Sequence, residues 1–211
     1  MLFDDFYFKS LIRTVEDWPK PGISFRDITP IFTNPKGMRM VVDAYVHRYI
    51  DSDITHIACI DARGFLIASV LAYELRKPLV LVRKKGKLPG KTISQSYDLE
   101  YGSAELEIQE DAVQEGAQVL LFDDLIATGG TLIAAMSLLK QQGANIKEVA
   151  AIIDLPDLGG SQKLREKIGI SLTGSIDLLD DLLEWTQATS QSKVQVRKES
   201  SVPEAQKKVA Q

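Results

Sequence analysis

The amino-acid sequence predicts an α/β fold, built around a parallel sheet with helices on both faces. Short apolar runs typical of buried strands occur at 57–60, 79–82, 119–122 and 149–153. Segments with helical periodicity separate them, and this alternation is typical of a parallel sheet covered on both sides. Two of these helices begin directly after a strand and a glycine-containing turn, which is where open α/β sheets bind their ligands.

The composition describes a globular domain with some additional length. The 211 residues are 45% apolar and 26% charged, which excludes collagen-like, fully disordered and disulfide-rich classes. A formal charge of −4 argues against a protein that mainly coats nucleic acid. The apolar run at 66–73 is far shorter than the ~18 residues that span a bilayer. The single cysteine, Cys59, fits a core position in a reducing compartment. We therefore expect a cytoplasmic protein with neither nucleic-acid nor membrane partners.

Two helices are predicted before the first strand. Apolar residues between Phe8 and Val15 recur at helical spacing and predict a short amphipathic helix that ends before Pro19. A longer apolar stripe over 38–49 follows Asn34-Pro35, which have the residue types of an N-cap and a first-turn proline.

The remaining segments predict two more helices, a loop and a tail. Helices are expected over 67–74 and 132–139, the second ending near Gly143 as its C-cap. Residues 83–103 are rich in Lys, Gly, Pro and Ser and predict a long, mobile loop. The composition becomes polar after Trp185, so we expect one domain over 1–185 and a flexible tail over 186–211.

The strongest functional signal is the stretch VLLFDDLIATGGT at 119–131, in which a buried strand leads through two acids into a small-residue turn. Gly129 and Gly130 let the backbone approach a phosphate, and the free N–H groups of the following helix start point at it. Thr128 and Thr131 add hydroxyl donors. Asp123 and Asp124 would repel that phosphate, so we expect them to bind sugar hydroxyls or a hydrated cation beside it.

Other interpretations of this stretch are weaker. A purely structural one, in which the acids end a strand and the glycines form a tight turn, must explain strand, acids, glycines and threonines as coincidence. The loop is not a Walker loop, because no Lys-Ser/Thr pair follows the glycines, and it lacks the dinucleotide G-x-G-x-x-G pattern. A ligand that combines phosphate, polyol and metal is therefore indicated.

This stretch resembles the phosphoribosyl-pyrophosphate motif of type I phosphoribosyltransferases. Further segments are similar to adenine phosphoribosyltransferases and occur in their order: Phe25–Pro30, Ala62–Phe65, Arg83–Gly90 and Leu99–Gly102. The resemblance implies a mostly parallel five-stranded sheet, with a hood formed by about 1–35 and 155–180. It also implies a purine-salvage enzyme that converts adenine and phosphoribosyl pyrophosphate into AMP and pyrophosphate. A homodimer and Mg²⁺ are implied as well.

The resemblance assigns roles to the residues that match its motifs. Asp123 and Asp124 would bind the ribose hydroxyls and contact Mg²⁺ only through water, with the substrate supplying the direct ligands. The 5′-phosphate and the departing pyrophosphate would be bound by two further groups: Ala127, Thr128, Gly129, Gly130 and Thr131 for the first, and Arg63, Arg83, Lys84 and Lys87 for the second.

The residues of chemistry and base recognition follow from the same resemblance. Glu100 would exchange a proton with adenine, and Tyr101, Arg63 and Lys84 complete the expected catalytic set. Ala127 stands where relatives acting on 6-oxopurines carry an acid, which favours adenine. The base itself would lie among four residues: Ser24, Phe25, Arg26 and Leu155.

Structural alternatives stay open for several of these residues. Phe25 and Leu155 could be ordinary core residues, and Glu100 could form an exposed cross-strand pair. The basic residues of 83–87 could be only a solvated run of charge.

Two other functions agree with parts of this sequence. A non-catalytic regulator could keep this pocket as a sensor of phosphoribosyl pyrophosphate, but about 20 residues before Phe25 are too few for a helix-turn-helix unit. A nucleotide-hydrolysing α/β protein would need the missing Walker lysine.

Overall fold

The structure, a computed structural model, describes residues 5–98 and 103–168. The helices are α1 (Asp5–Ser10), α2 (Thr29–Thr33), α3 (Pro35–Tyr49), α4 (Gly64–Glu74), α5 (Gly130–Gln141) and α6 (Gly160–Ile168). The strands are β1 (Arg13–Val15), β2 (Phe25–Asp27), β3 (His56–Ile60), β4 (Leu79–Lys84), β5 (Thr92–Asp98), β6 (Ser103–Gln109), β7 (Gln118–Ile126) and β8 (Asn145–Asp154). A 3-10 helix covers Pro156–Leu158.

The described strands form one large sheet and one small one. The large sheet has six strands in the order β5-β6-β4-β3-β7-β8. Strands β4, β3, β7 and β8 are parallel, whereas β6 runs antiparallel to β4 and β5 runs antiparallel to β6. The small sheet pairs β1 with β2. The predicted α/β class with a mostly parallel sheet is therefore confirmed.

Apolar side chains cover both faces of the large sheet. On one face, α5 packs Leu132 and Leu139 against a cluster that includes Val82 and Leu121. On the other face, α3 and α4 pack onto a second cluster, to which Phe122 belongs. Because both faces are covered, the parallel strands are continuous apolar runs instead of alternating ones. Within the described ranges, no helix has the combined length and apolarity of a bilayer-spanning segment.

Local signals for helix ends are confirmed. The Asn34 side chain accepts a hydrogen bond from the N–H of Gly37 at 2.9 Å, and Pro35 is the first residue of α3. Gly143 follows α5 with φ +80°, the left-handed conformation that favours glycine at this point. Cys59 is fully buried in β3, as expected for a core residue.

The expectation of a long loop over 83–103 is wrong, and with it the count of five strands. Strand β5 forms an antiparallel ladder with β6 that runs from Thr92↔Gln109 to Asp98↔Ser103. Of the β5 side chains that the structure describes, Ile93 and Tyr97 pack against the core. An edge strand needs few apolar residues, so its composition is that of a loop.

The first predicted helix is also shorter than expected. It ends at Ser10, and Arg13–Val15 forms β1 instead. The reason is tertiary: β1 pairs with β2, and the guanidinium of Arg13 forms an ion pair with Asp27 at 2.5 Å.

Candidate active site

The carboxyl ends of β3 and β7 create the candidate site. The last pair between these strands is Cys59↔Phe122, whereas β7 stays paired with β8 as far as Ile126. Asp123 and Asp124 therefore lie inside a strand, and not in the turn after it, at the point where β7 extends beyond β3. Each of the two acids is only 8% exposed.

The two acids share one buried region and influence each other. The N–H of Asp124 donates a hydrogen bond to Oδ1 of Asp123 at 2.8 Å. Burial raises the pKa of Asp123 well above its usual value, and the charge of Asp124 raises it further. Within the described residues, Asp124 Oδ2 accepts no hydrogen bond of good geometry, although Arg63 Nη2 lies 2.7 Å away. The pair can therefore accept hydrogen bonds from hydroxyl groups or a hydrated cation.

Arg63 connects this acid pair to the hood. It lies in the loop between β3 and α4, and its side chain is 39% exposed. Its guanidinium pairs with Asp124 and lies 5.5 Å from the centre of the Phe25 ring. Two residues earlier, the Asp61–Ala62 peptide bond is cis.

Gly64 is required where α4 starts beneath the acid pair. A Cβ atom at Gly64 would lie 2.8 Å from Cys59 Sγ and 3.3 Å from Asp123 Cα. The absence of a side chain at this position therefore lets the helix start close to β7.

The predicted phosphate loop has the geometry of an anion site. Gly129 has φ +78° and precedes α5, which begins at Gly130 without a side-chain cap. The first N–H groups of a helix have no acceptor within the helix, so they are available to a phosphate. Thr128 is exposed, while Ala127 and Thr131 are partly buried.

The start of α6 supports this loop from behind. A Cβ atom at Gly160 would lie 2.1 Å from the carbonyl oxygen of Ala127 and 2.7 Å from the amide nitrogen of Gly129. The N–H of Leu155, a predicted base-site residue, donates to the carbonyl of Ile126 at 2.9 Å. The segment after β8 is thus held against the phosphate loop.

The basic loop between β4 and β5, residues 85–91, follows Arg83, which contacts the loop that carries Arg63. Arg83 Nε donates to Asp61 Oδ2 at 3.2 Å, and Arg83 Nη1 donates to the carbonyl of Lys87 at 3.1 Å. Lys85 pairs with Glu105 at 2.5 Å. Lys84 and Lys87 are exposed. The predicted cations therefore differ, because Arg83 is held in place while Lys84 and Lys87 face solvent.

The hood presents an aromatic surface to Arg63. Phe25 lies in β2, and its ring contacts the ring of Trp18 edge-on at 4.4 Å between centroids. The Ser24 hydroxyl donates to Glu16, and the Arg26 guanidinium donates to the Thr14 hydroxyl. The side chains of Ser24 and Arg26 are thus engaged within the hood.

The structure brings some predicted residues together and leaves others outside its described part. Arg63 contacts Asp124 and lies over the ring of Phe25, and Arg83 contacts Asp61, two residues before Arg63 in the same loop. Glu100 and Tyr101 lie outside the described residues, as do the predicted tail and the hood segment beyond 168.

Three contributors were missed by the sequence analysis: Trp18 beside Phe25, Gly160 behind the phosphate loop, and Glu107 beneath the basic loop. Leu106 and Ile108 flank Glu107 in the alternating pattern of a half-buried strand, which places the acid on the exposed face, so the sequence carried no local signal of its burial.

The acid pair suits a magnesium ion that is held through water. In the described ranges, no group of three or more His, Cys, Asp or Glu side chains could hold a metal by itself. The buried acids Asp123 and Asp124 nevertheless have the hard oxygen donors that Mg²⁺ prefers. This donor set suits a hydrated ion whose other ligands come from a bound phosphate compound.

The fold and this site define a phosphoribosyltransferase. The chain belongs to the phosphoribosyltransferase family, because the family described as "Phosphoribosyl transferase domain" matches residues 32–174, more than half of the chain. Among its relatives, the adenine phosphoribosyltransferase of Marinomonas sp. (strain MWYL1) is 84% identical over 166 residues, covering 79% of this chain and 92% of the relative.

Solved structures of adenine phosphoribosyltransferases have the same fold. The Saccharomyces cerevisiae enzyme, complexed with adenine and an imino-altritol bisphosphate, has a TM-score of 0.72 and 37% identity over 76% of this chain and 93% of its own. The Trypanosoma brucei enzyme, in complex with AMP, pyrophosphate and ribose-5-phosphate, has a TM-score of 0.71 and 32% identity over 83% of this chain and 77% of its own. Within the family, the chain thus groups with the adenine phosphoribosyltransferases.

Proposed function

We propose that this chain transfers the 5-phosphoribosyl group of phosphoribosyl pyrophosphate to adenine and releases AMP and pyrophosphate. The observation that carries the proposal is the placement of an uncapped helix start, a buried acid pair and Arg63 at one sheet edge. These three elements match the phosphate, the hydroxyls and the diphosphate of that substrate. The ligands of the Saccharomyces and Trypanosoma enzymes support the same pair of substrates and products.

The sugar phosphate would lie along the carboxyl edge of β7. The N–H groups at the start of α5, with the hydroxyls of Thr128 and Thr131, would bind the 5′-phosphate. Asp123 and Asp124 would accept hydrogen bonds from the two ribose hydroxyls. Ribose binding would therefore compete with Arg63 for Asp124, because Arg63 is the present partner of that carboxylate.

The released guanidinium suits the leaving group. Arg63 can bind two diphosphate oxygens at once, since its donors form a planar fork. Lys84 and Lys87 are exposed, and Arg83 is held beside Asp61, so all three can approach the same diphosphate. Positive charge develops on the ribose ring as pyrophosphate leaves, so stabilising the departing anion and excluding water would accelerate the reaction.

The base would bind between the hood and the end of β8. Phe25 offers a ring for stacking, Leu155 an apolar wall, and the backbone groups of Ser24 and Arg26 can recognise the donor and acceptor edge of adenine. Ala127 provides no acid for a 6-oxopurine. Glu100 as proton carrier and Tyr101 as its neighbour rest on the resemblance of Leu99–Gly102 to the family motif.

Mg²⁺ is the proposed cofactor. When bound to the substrate, it would neutralise charge on the diphosphate and so make pyrophosphate a better leaving group. Asp123 and Asp124 would hold it through water, because their carboxylates lie next to the proposed ribose site.

A homodimer is proposed from the exposed apolar surface beside α4. Leu66 and Tyr73 are seven residues apart on one side of α4 and are 49% and 80% exposed. Leu81 of β4 is 39% exposed. Its side chain lies on the same face of the strand as that of Leu79, which packs on the α4 side of the sheet. Exposed apolar surface of this kind is typical of a subunit interface.

A cytoplasmic location stays a prediction from the sequence.

One assay tests the proposed activity. Purified protein is mixed with magnesium, phosphoribosyl pyrophosphate and one purine base at a time, and the nucleotides formed are separated by chromatography. We expect AMP from adenine, and no nucleotide from hypoxanthine or guanine. Binding of phosphoribosyl pyrophosphate without any nucleotide would instead support a sensor, and the absence of binding would contradict the proposal.

A further inference from the structure

Glu107 of β6 is a buried acid outside the Asp123–Asp124 pair. It is 3% exposed and lies opposite Arg83 in the sheet, so the two side chains emerge on the same face. Within the described part of the chain, no lysine or arginine forms an ion pair with it. A buried carboxylate without partners is costly, so Glu107 must be satisfied by other donors.

Those donors come from the basic loop, residues 85–91, and its end. The N–H groups of Lys87 and Leu88 each donate to Oε1 of Glu107 at 2.8 Å. The Thr92 hydroxyl donates to Oε2 at 3.2 Å. Burial acts to raise the pKa of Glu107, but hydrogen bonds from the backbone at Leu88, Gly86 and Lys87 outweigh it and lower this pKa. The carboxylate is therefore ionised and holds the loop by its backbone.

Lys87 of the basic loop connects Glu107 to the candidate active site, through its N–H on one side and its carbonyl on the other. The carbonyl of Lys87, whose N–H is bound to Glu107, accepts a hydrogen bond from Arg83. Arg83 in turn donates to Asp61, two residues before Arg63. A continuous series of short contacts thus runs from the buried acid through the basic loop to the loop that carries Arg63.

We propose that Glu107 is a positioning residue, whose carboxylate folds the basic loop so that Arg83 and Lys87 are presented to the leaving diphosphate. This inference rests on the proposed function, because it assigns the loop to the diphosphate. Glu107 itself touches no reacting atom. Its effect is to order the loop before the substrate binds, which lowers the entropy lost on binding.

The hydrogen bonds of Glu107 allow its role as an acceptor to be separated from its negative charge. The N–H groups of Lys87 and Leu88 both use Oε1, and the Thr92 hydroxyl at Oε2 can reverse to accept. Gln at this position keeps an acceptor at Oε1 and offers an amide N–H to the Thr92 hydroxyl. Leu has a similar volume but no acceptor, so it leaves the N–H groups of Lys87 and Leu88 without this partner.

The experiment compares wild type, Glu107→Leu and Glu107→Gln. Amide hydrogen exchange at Lys87 and Leu88 reports the loop, while titration calorimetry reports binding of magnesium pyrophosphate and of adenine. For Glu107→Leu we expect the exchange rate at both amides to rise about tenfold, and the Kd of pyrophosphate to rise by about the same factor. This is the effect expected from the loss of a hydrogen bond to a charged group. The Kd of adenine should change less than about twofold, and Glu107→Gln should restore all three values to within about threefold of wild type.

Wild-type exchange and pyrophosphate affinity in Glu107→Leu would overturn the inference, and so would failure of Glu107→Gln to restore them. If Glu107→Leu does not fold, Thr92→Val removes a single contact of the same carboxylate. It should raise exchange at Lys87 and Leu88 without affecting β7, and unchanged exchange would overturn the inference. Failure of the wild type to form AMP would contradict the proposed function, whereas an active wild type with an insensitive Glu107→Leu would contradict only the role of Glu107.

Discussion

Single residues of the site are stabilised by partners that a substrate would have to replace. Arg63 is the clearest case, because its guanidinium contacts Asp124 and faces the ring of Phe25. The Asp123 carboxyl is destabilised as an anion by burial and by Asp124, which raises its pKa. Such an arrangement lowers the stability of the fold, and it is typical of a site where the binding of a ligand offsets that cost.

Replacing both acids by Asn should weaken binding of phosphoribosyl pyrophosphate about 100-fold, because each lost charge-assisted hydrogen bond costs about 1.5 kcal/mol or more. Folding should persist, since the variant removes buried charge. Isothermal titration measures the affinity, and thermal unfolding measures the fold. The exposed pair Glu110→Gln with Asp111→Asn is the matched control and should leave the Kd unchanged. Wild-type affinity in the Asp123/Asp124 variant would contradict their role at the ribose.

Asp27 gives a prediction for the pH dependence of stability. Burial acts to raise its pKa, but hydrogen bonds from Thr29 and Arg13 outweigh this and lower the pKa from 3.8 to about 2. Because the folded pKa lies below the unfolded one, the stabilisation is complete above about pH 4 and is lost as the pH falls through about 2. Arg13 is 64% exposed, so solvent screening limits the contribution to about 1 kcal/mol.

Asp27→Asn should therefore lower the free energy of unfolding at pH 7 by about 1 kcal/mol, and the difference from wild type should shrink toward pH 2. Urea unfolding at pH 7, 5, 4 and 3 measures this. Asp43→Asn serves as control, because the ion pair of Asp43 with Arg39 is long, at 3.9 Å, and exposed. A difference that stays constant between pH 7 and 3 would show that the charge of Asp27 is not responsible.

At the scale of elements, the site depends on contacts between segments that are distant in sequence. The phosphate loop before α5 is backed by the start of α6, and the basic loop is anchored to β6. Helix signals such as the Asn34 cap and the Gly143 C-cap are local, so the sequence predicted them correctly. The hairpin of β5 and β6 was missed, because an edge strand with two inward apolar residues has the composition of a loop.

Gly160→Ala should displace the phosphate loop, because its Cβ atom would overlap the carbonyl oxygen of Ala127. We expect the KM for phosphoribosyl pyrophosphate to rise about tenfold or more, since a misplacement of about 1 Å is costly at a binding site. The Kd for adenine should stay close to that of wild type. Steady-state kinetics measure the first value and calorimetry the second. Gln162→Ala, at an exposed position of α6, is the control, and an unchanged KM in Gly160→Ala would refute the support role.

For the whole molecule, the described residues form a sheet covered on both faces, with the site at one edge and exposed apolar residues beside α4. The extent of the domain over 1–185 and the tail over 186–211 stay predictions, because residues 169–211 lie outside the described part.

Leu66→Glu with Tyr73→Glu should convert the proposed dimer into a monomer, because two charges would be buried in an apolar interface. Size-exclusion chromatography with light scattering measures the mass. Ile50→Glu, at a position that is 61% exposed at the end of α3, is the control and should leave the mass unchanged. A wild type that is already monomeric, or a double variant that stays dimeric, would show that this surface has another role.

The sequence by itself determined the α/β class, the caps of the helices, the acid pair with its glycine turn, and the family that these motifs resemble. Each of these depends on residues close together in the chain, whose periodicity or backbone preference acts locally. Only the tertiary structure decided that Glu107 is buried beneath the basic loop, that Arg63 pairs with Asp124, and that Gly160 supports Ala127. Those contacts join segments whose distance and burial no local pattern encodes, because a charged side chain becomes buried only when a remote segment closes over it.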